Sequence, residues 1–197
     1  MRKINKLKGS KILEENLNYK VKGDNSKISQ YLLEEQYGFC AYTETFFGRT
    51  DKKDIDHFNP NLKGTTNDNY KNWFLVKSQW NIEKSNKWNN YQPVLHPTAI
   101  DFEERIIYFE GDYFVARIDD IEAINLINLL KLDDYELSLE RKQYISRKKN
   151  EIKYFDNAFS YFENLVTLNL GSIRFIRAIK EEFNVDVLKI IVQNNNL

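Results

Sequence analysis

"DKKDIDHFNP", residues 51–60, sets three acids, two lysines and one of the chain's two histidines side by side, and then stops at an Asn-Pro turn. The reading of this stretch decides the fold. Residues 54–58, "DIDHF", have the make-up of a short strand, and Asn59-Pro60 ends it. Strand alternation sends Asp56 and His57 to opposite faces. The two can share one site only if the strand ends or bends at them. An acid beside an imidazole is useful chemistry, because imidazole has an unperturbed pKa of about 6.5 and can take a proton from water near neutral pH.

Working outward, "FCAYTETFF" (39–47) is aromatic and weakly alternating, which predicts a strand, and "GRTDKK" predicts a turn. Upstream, "SKISQYLLEEQYGF" (26–39) predicts a helix, with Ser26 as N-cap and Gly38 as its stop. Downstream of a polar loop, "WFLVKSQWNIEKSNKW" (73–88) carries apolar residues at 73, 76 and 80 and predicts a helix, at least in its second half. Residues 39–88 therefore read strand, turn, strand, loop, helix. "ERIIYFEGDYFVARI" (104–118) is a hairpin with "EGD" at its tip. Residues 119–152 and 154–192 are helical, with Gly171-Ser172 as a break. The expected fold class is α+β. Its parts are a basic segment (1–25), a ββα core with an added hairpin (26–118) and a C-terminal helical region (119–197).

Bulk properties narrow the choices. Hydrophobic residues make up 42% of 197, enough for a core and against global disorder. Acidic and basic residues balance at 29 each, so nothing advertises nucleic acid globally. A local patch would suffice. The first 22 residues hold seven Lys/Arg and two acids, and are expected as a short helix or a loose arm. No apolar run approaches the ~18 residues of a membrane span, and the start lacks a signal-peptide pattern. One cysteine, Cys40, excludes an internal disulfide, and a cytoplasmic location is expected.

Cleaving a phosphodiester needs an activated water and positive charge on the phosphate and leaving oxygen, which a divalent ion on oxygen ligands supplies. Beyond Asp56 and His57, the next polar landmarks are Asn72 in "NWFLV", and Asn81 and Lys84 in "NIEK", one helical turn apart. "DIDHFNP", "NWFLV" and "NIEK" resemble, in order and spacing, the motif of the HNH, or ββα-metal, endonucleases. The resemblance implies His57 as general base, Asp56 and Asn81 as ligands of one Mg²⁺ or Mn²⁺, Asn72 as the clamp of the local backbone and the His57 ring, and Lys84 on the phosphate. Arg49, Lys52, Lys53, Lys77 and Lys87 are candidates for further phosphate contacts, as against ordinary surface charge.

"LLEEQYGFCAYTE", "DHFNP", "YQPVLHPTAIDFEERIIYFEGDYF" and "LINLLKLDDYELSLERKQYI" are similar to a bacterial subfamily that includes the PtuB-type nucleases of Septu anti-phage systems. The likeness covers residues 26–150. It implies a DNA substrate in preference to RNA, an ATPase subunit as partner, and a role in defence. Many members hold a structural zinc on two C-x-x-C pairs. Here those positions are Cys40, Thr43, Lys77 and Trp80, so no structural zinc is expected and Cys40 should be a buried thiol. His96, before a proline, is expected to have a structural or surface role. "FDNAFSYF" (155–162) is expected as core or partner surface. The alternatives are an inactive HNH-fold subunit that binds nucleic acid or scaffolds an assembly, and a helical adaptor.

Overall fold

The computed structural model describes every residue except Ser85, Asn196 and Leu197. The architecture is α+β. Among the described residues, nine helices surround two separate two-stranded antiparallel sheets. The basic start is anchored, not loose. Met1, Ile4 and Ile12 are buried, and the Arg2 amide donates to Glu44 and the Ile4 amide to the Pro97 carbonyl, both at 2.9 Å. One helical turn, α1 (Lys11–Glu14), is capped by the Ser10 hydroxyl, which accepts from the Ile12 amide. α2 (Ser26–Glu35) buries Ile28 and Leu32. Ser26 lies inside it, its amide held by Asp24 at 2.8 Å. Gly38 then takes φ +80°, and a Cβ there would meet the Phe46 ring at 2.5 Å, so this turn needs glycine.

β1 (Lys53–His57) pairs with β2 (Trp73–Lys77), His57 opposite Trp73 and Lys53 opposite Lys77. α3 (Ser78–Lys84) starts where the Ser78 amide meets the Lys52 carbonyl at 3.0 Å, and ends where the Lys84 ammonium meets the His57 carbonyl at 2.7 Å. The helix thus lies back along the hairpin. The order is strand, loop, strand, helix, and it differs from expectation in both outer pieces. Residues 73–77, expected to open a helix, are the second strand. Trp73, Phe74, Leu75 and Val76 are at most 1% exposed. A run buried on both faces carries no alternation and cannot be told from a buried helix start. Residues 39–47, expected as a strand, form a turn closed by one bridge, Phe39 to Phe46. Glu44 there takes φ +58°, which breaks an extended path.

α4 (Phe102–Arg105) leads into the expected hairpin of β3 (Ile106–Phe109) and β4 (Asp112–Val115). Its tip, Glu110-Gly111, has positive φ at both residues, the turn that matches strand twist. Five helices follow: α5 (Ile121–Leu130), α6 (Tyr135–Glu151), α7 (Ala158–Asn169), α8 (Ile176–Phe183) and α9 (Val187–Asn195). Asp120 and Asp134 cap α5 and α6, and Asn157 with Ser160 makes a capping box on α7. Gly171-Ser172 falls in the short turn between α7 and α8. The interior forms two apolar clusters. One unites the N-terminal segment, the β1–β2 hairpin and α5, and the other unites α6 to α9 with Phe39. Trp80 and Tyr108 pack against both. Among the described residues, no helix is long and apolar enough to cross a membrane.

Lys6 reaches under the β1–β2 hairpin. Its ammonium donates to the Trp73 carbonyl and lies 4.4 Å and 4.2 Å from the Tyr70 and Phe74 ring centres. The rings favour the charged form, but burial outweighs them and pulls its pKa down to about 7. The unfolded chain, with an ordinary lysine pKa of 10.5, binds more protons between pH 7 and 10.5. The burial penalty is therefore complete below about pH 7 and fades as pH rises through that window. Wild type should gain stability over it relative to Lys6→Met, by at most roughly 5 kcal/mol. Urea unfolding of both proteins at several pH values checks this, and parallel curves would refute it.

Candidate active site

Asp56 and His57 end β1 and point to opposite faces, as alternation requires. Asp56 faces α3 and is 2% exposed. Its Oδ1 lies 3.0 Å from the Lys84 ammonium, and its Oδ2 accepts from the Tyr42 hydroxyl. Lys84 is equally buried and also donates to the carbonyls of His57 and Phe58, at 2.7 and 2.9 Å. Burial pulls the Lys84 pKa down against the attraction of Asp56. It pushes Tyr42 well up, aided by the Asp56 charge. Asn81 donates to Asp54 Oδ2 at 3.0 Å. Asp54 lies two residues before Asp56 and so on the same face. The sequence reading gave Asp54 no role, although the D-x-D-H spacing is part of the family likeness and points to it.

His57 faces the other way and is 4% exposed. The Tyr19 ring stands edge-on at 4.4 Å and Trp73 at 6.4 Å. His57 Nε2 lies 3.0 Å from Asp68 Oδ2. Asp68 is itself fixed: Oδ1 accepts from the Trp73 indole at 2.6 Å and Oδ2 from the Gly64 amide at 3.1 Å. Burial lowers the His57 pKa, Asp68 raises it in part, and the exposed Lys63 lowers it again. The ring is therefore neutral near pH 7. Asp68 and Lys63 sit in the loop between the strands, and nothing in their spacing announced them. Asn72 is buried and clamps the turn after His57, with Asn59 N–H donating to its Oδ1 at 2.8 Å and its Nδ2 donating to the Asn59 carbonyl at 3.0 Å.

The structure thus brings the expected residues onto one β1–β2–α3 unit but into separate networks. Among the described residues, no hydrogen bond or ion pair joins the His57 ring to Asp56 or Asn81. Asn72 holds the backbone, while Asp68 holds the ring. Lys84, expected on a phosphate, is enclosed instead, because three acceptors converge on its ammonium. Lys53 and Lys77 face each other at the end of the hairpin away from His57, roughly 13 Å along the strand. Lys77 is paired with Asp51 at 3.0 Å, and the Lys53 ammonium lies 5.7 Å from the Phe47 ring centre. Arg49, Lys52 and Lys87 are exposed.

His96 packs edge-on to Phe58 at 4.9 Å and bonds Thr98 at 2.8 Å, and burial pulls its pKa down to about 4. Cys40 is buried, and its Sγ accepts the Lys77 amide at 3.3 Å. A cleft of about 330 Å³ opens beside the Asn59–Asn72 clamp, lined also by Lys71, Trp88 and His96. A larger one, about 490 Å³, lies between the N-terminal segment, α2 and α9, and none of the expected site residues lines it. No model of a protein family matches the chain, no curated protein matches it, and no solved structure matches it.

Proposed function

We propose that the chain is a metal-dependent nuclease of the HNH type that hydrolyses phosphodiester bonds in nucleic acid, DNA in preference to RNA. The observation that carries this reading is the β1–β2–α3 unit. A histidine closes β1, Asn72 locks the turn behind it, and two carboxylates face α3, Asp54 on the Asn81 amide and Asp56 on the Lys84 ammonium. Asp54, Asp56 and Asn81 offer hard oxygen donors, the chemistry Mg²⁺ and Mn²⁺ prefer. The Asp54–Asn81 contact puts two of these side chains within reach of one ion, and Asn81 has only to turn its amide to present oxygen. When bound there, the ion supplies positive charge for the phosphate and the leaving oxygen. His57, kept neutral by burial, would take the proton from the attacking water; its ring lies on the face of β1 opposite Asp54 and Asp56, so the reading requires the end of β1 to bend until both faces meet one phosphate. Low sequence specificity is part of the proposal, with selection of the target left to a partner. Activation belongs to a partner, by analogy an ATPase of an anti-phage system docking on α6 to α9 in the cytoplasm.

One observation favours a second reading. Lys84 already neutralises Asp56, and Tyr42 takes the other carboxylate oxygen. A chain frozen in that arrangement is an inactive HNH-like subunit that binds nucleic acid or scaffolds an assembly. Nicking of supercoiled plasmid with Mn²⁺, with and without chelator, by wild type and His57→Ala separates the two. Chelator-sensitive nicking lost in His57→Ala supports the nuclease. No nicking by wild type, alone or with its partner, supports the second reading.

A further inference from the structure

We infer that Asp68 is a positioning residue for His57, holding the ring as the Nε2–H tautomer so that Nδ1 is the nitrogen left to accept a proton. A carboxylate is an obligate acceptor, so the 3.0 Å contact with Nε2 requires the proton to sit on that nitrogen. Asp68 cannot turn away to release it, because the Trp73 indole and the Gly64 amide hold its two oxygens from other sides. The side chains of both members are enclosed, at 4% and 5% exposure, so water competes poorly for the bond. Among the described residues, Nδ1 has no hydrogen-bond partner, and the one fully buried side-chain polar atom left unpartnered is Arg141 Nε. Nδ1 is therefore not completely sealed, although the residue is 4% exposed. The ring has one nitrogen tethered to Asp68 and one left without a partner, which is the division of labour a general base needs. As part of a catalytic step this role rests on the nuclease reading, but the tautomer does not.

The direct test is ¹⁵N–¹H NMR of the imidazoles in the metal-free full chain, at about pH 8 where histidine is neutral. The chain has two histidines, and the His57→Gln spectrum identifies the signals of the other. Wild type should show the Nε2–H pattern for His57. In Asp68→Asn the single oxygen can serve the Trp73 indole, or the Gly64 amide and Nε2, but not all three, so the His57 Nε2–H signal should weaken or move. An Nδ1–H pattern in wild type overturns the inference. Because the wild-type spectrum decides by itself, the test survives a variant that fails to fold. It also survives a protein that does not cleave. If wild type does cleave, Asp68→Asn should lose about 10²-fold or more in kcat with KM for plasmid little changed, and Asp68→Glu should recover part of it. Wild-type kcat in Asp68→Asn would refute the catalytic role alone.

Discussion

His57→Ala should lower Mn²⁺-dependent nicking by about 10²- to 10⁴-fold, the range that a positioned acid–base group contributes. The substitution has a side effect that must be measured. It opens space beneath Tyr19 and leaves Asp68 Oδ2 with the Gly64 amide as its remaining donor. A buried acceptor that loses a partner costs about 1–3 kcal/mol. His57→Gln is the better companion, because its amide can still donate toward Asp68 but cannot accept a proton from water at neutral pH. Both variants should lose nicking to a similar degree, while Gln retains more of the melting temperature. Rates of conversion of supercoiled to open-circle plasmid, read beside thermal melts, give the two quantities. Undiminished nicking by a folded Gln variant would remove His57 from the chemistry.

The sequence displayed the parts of this site more readily than their connections. His57 at the end of β1 was legible because the Asn59-Pro60 break leaves a local mark, whereas Asn72 as a clamp came only from the family resemblance, and it holds the backbone without the ring. The hairpin at 106–115 was legible because Glu110-Gly111 is a turn with a physical cause. Residues 73–77 were misread because Trp-Phe-Leu-Val is buried on both faces, and burial on both faces erases the periodicity that separates strand from helix. Residues 39–47 were misread for the opposite reason: aromatic content imitated a strand where Gly38 and Glu44, both at positive φ, impose turns. Asp68 and Lys63 could not be found at all. They act on His57 across a loop from 11 and 6 residues away, and no periodicity records such a contact. Lys84 was placed on the right helix, but a helical face alone does not say whether a lysine looks outward or is drawn in by buried acceptors.

That inward lysine carries the largest stability effect. Lys84→Met should cost about 3–5 kcal/mol, because it strands the Asp56 charge in a site 2% exposed with only Tyr42 to stabilise it. The His57 and Phe58 carbonyls lose their donor as well. Asp56→Asn should also destabilise, since it leaves an ammonium buried among neutral acceptors, yet it keeps an acceptor for Tyr42. Combining Asp56→Asn with Lys84→Met removes both charges together, and the double variant should be more stable than the sum of the singles by about 1–3 kcal/mol. Urea unfolding of the four proteins measures that coupling. The result also bears on which functional reading holds. Strong coupling means Lys84 is the resident counter-charge of Asp56, and a divalent ion must then bind beside a fixed ammonium. In that case Lys84→Met, if folded, should bind Mn²⁺ more tightly than wild type. Coupling below about 0.5 kcal/mol would mean the two side chains exchange partners freely. Asp56 would then be available to a cation without displacing anything, and the inactive-subunit reading would lose the observation that favours it.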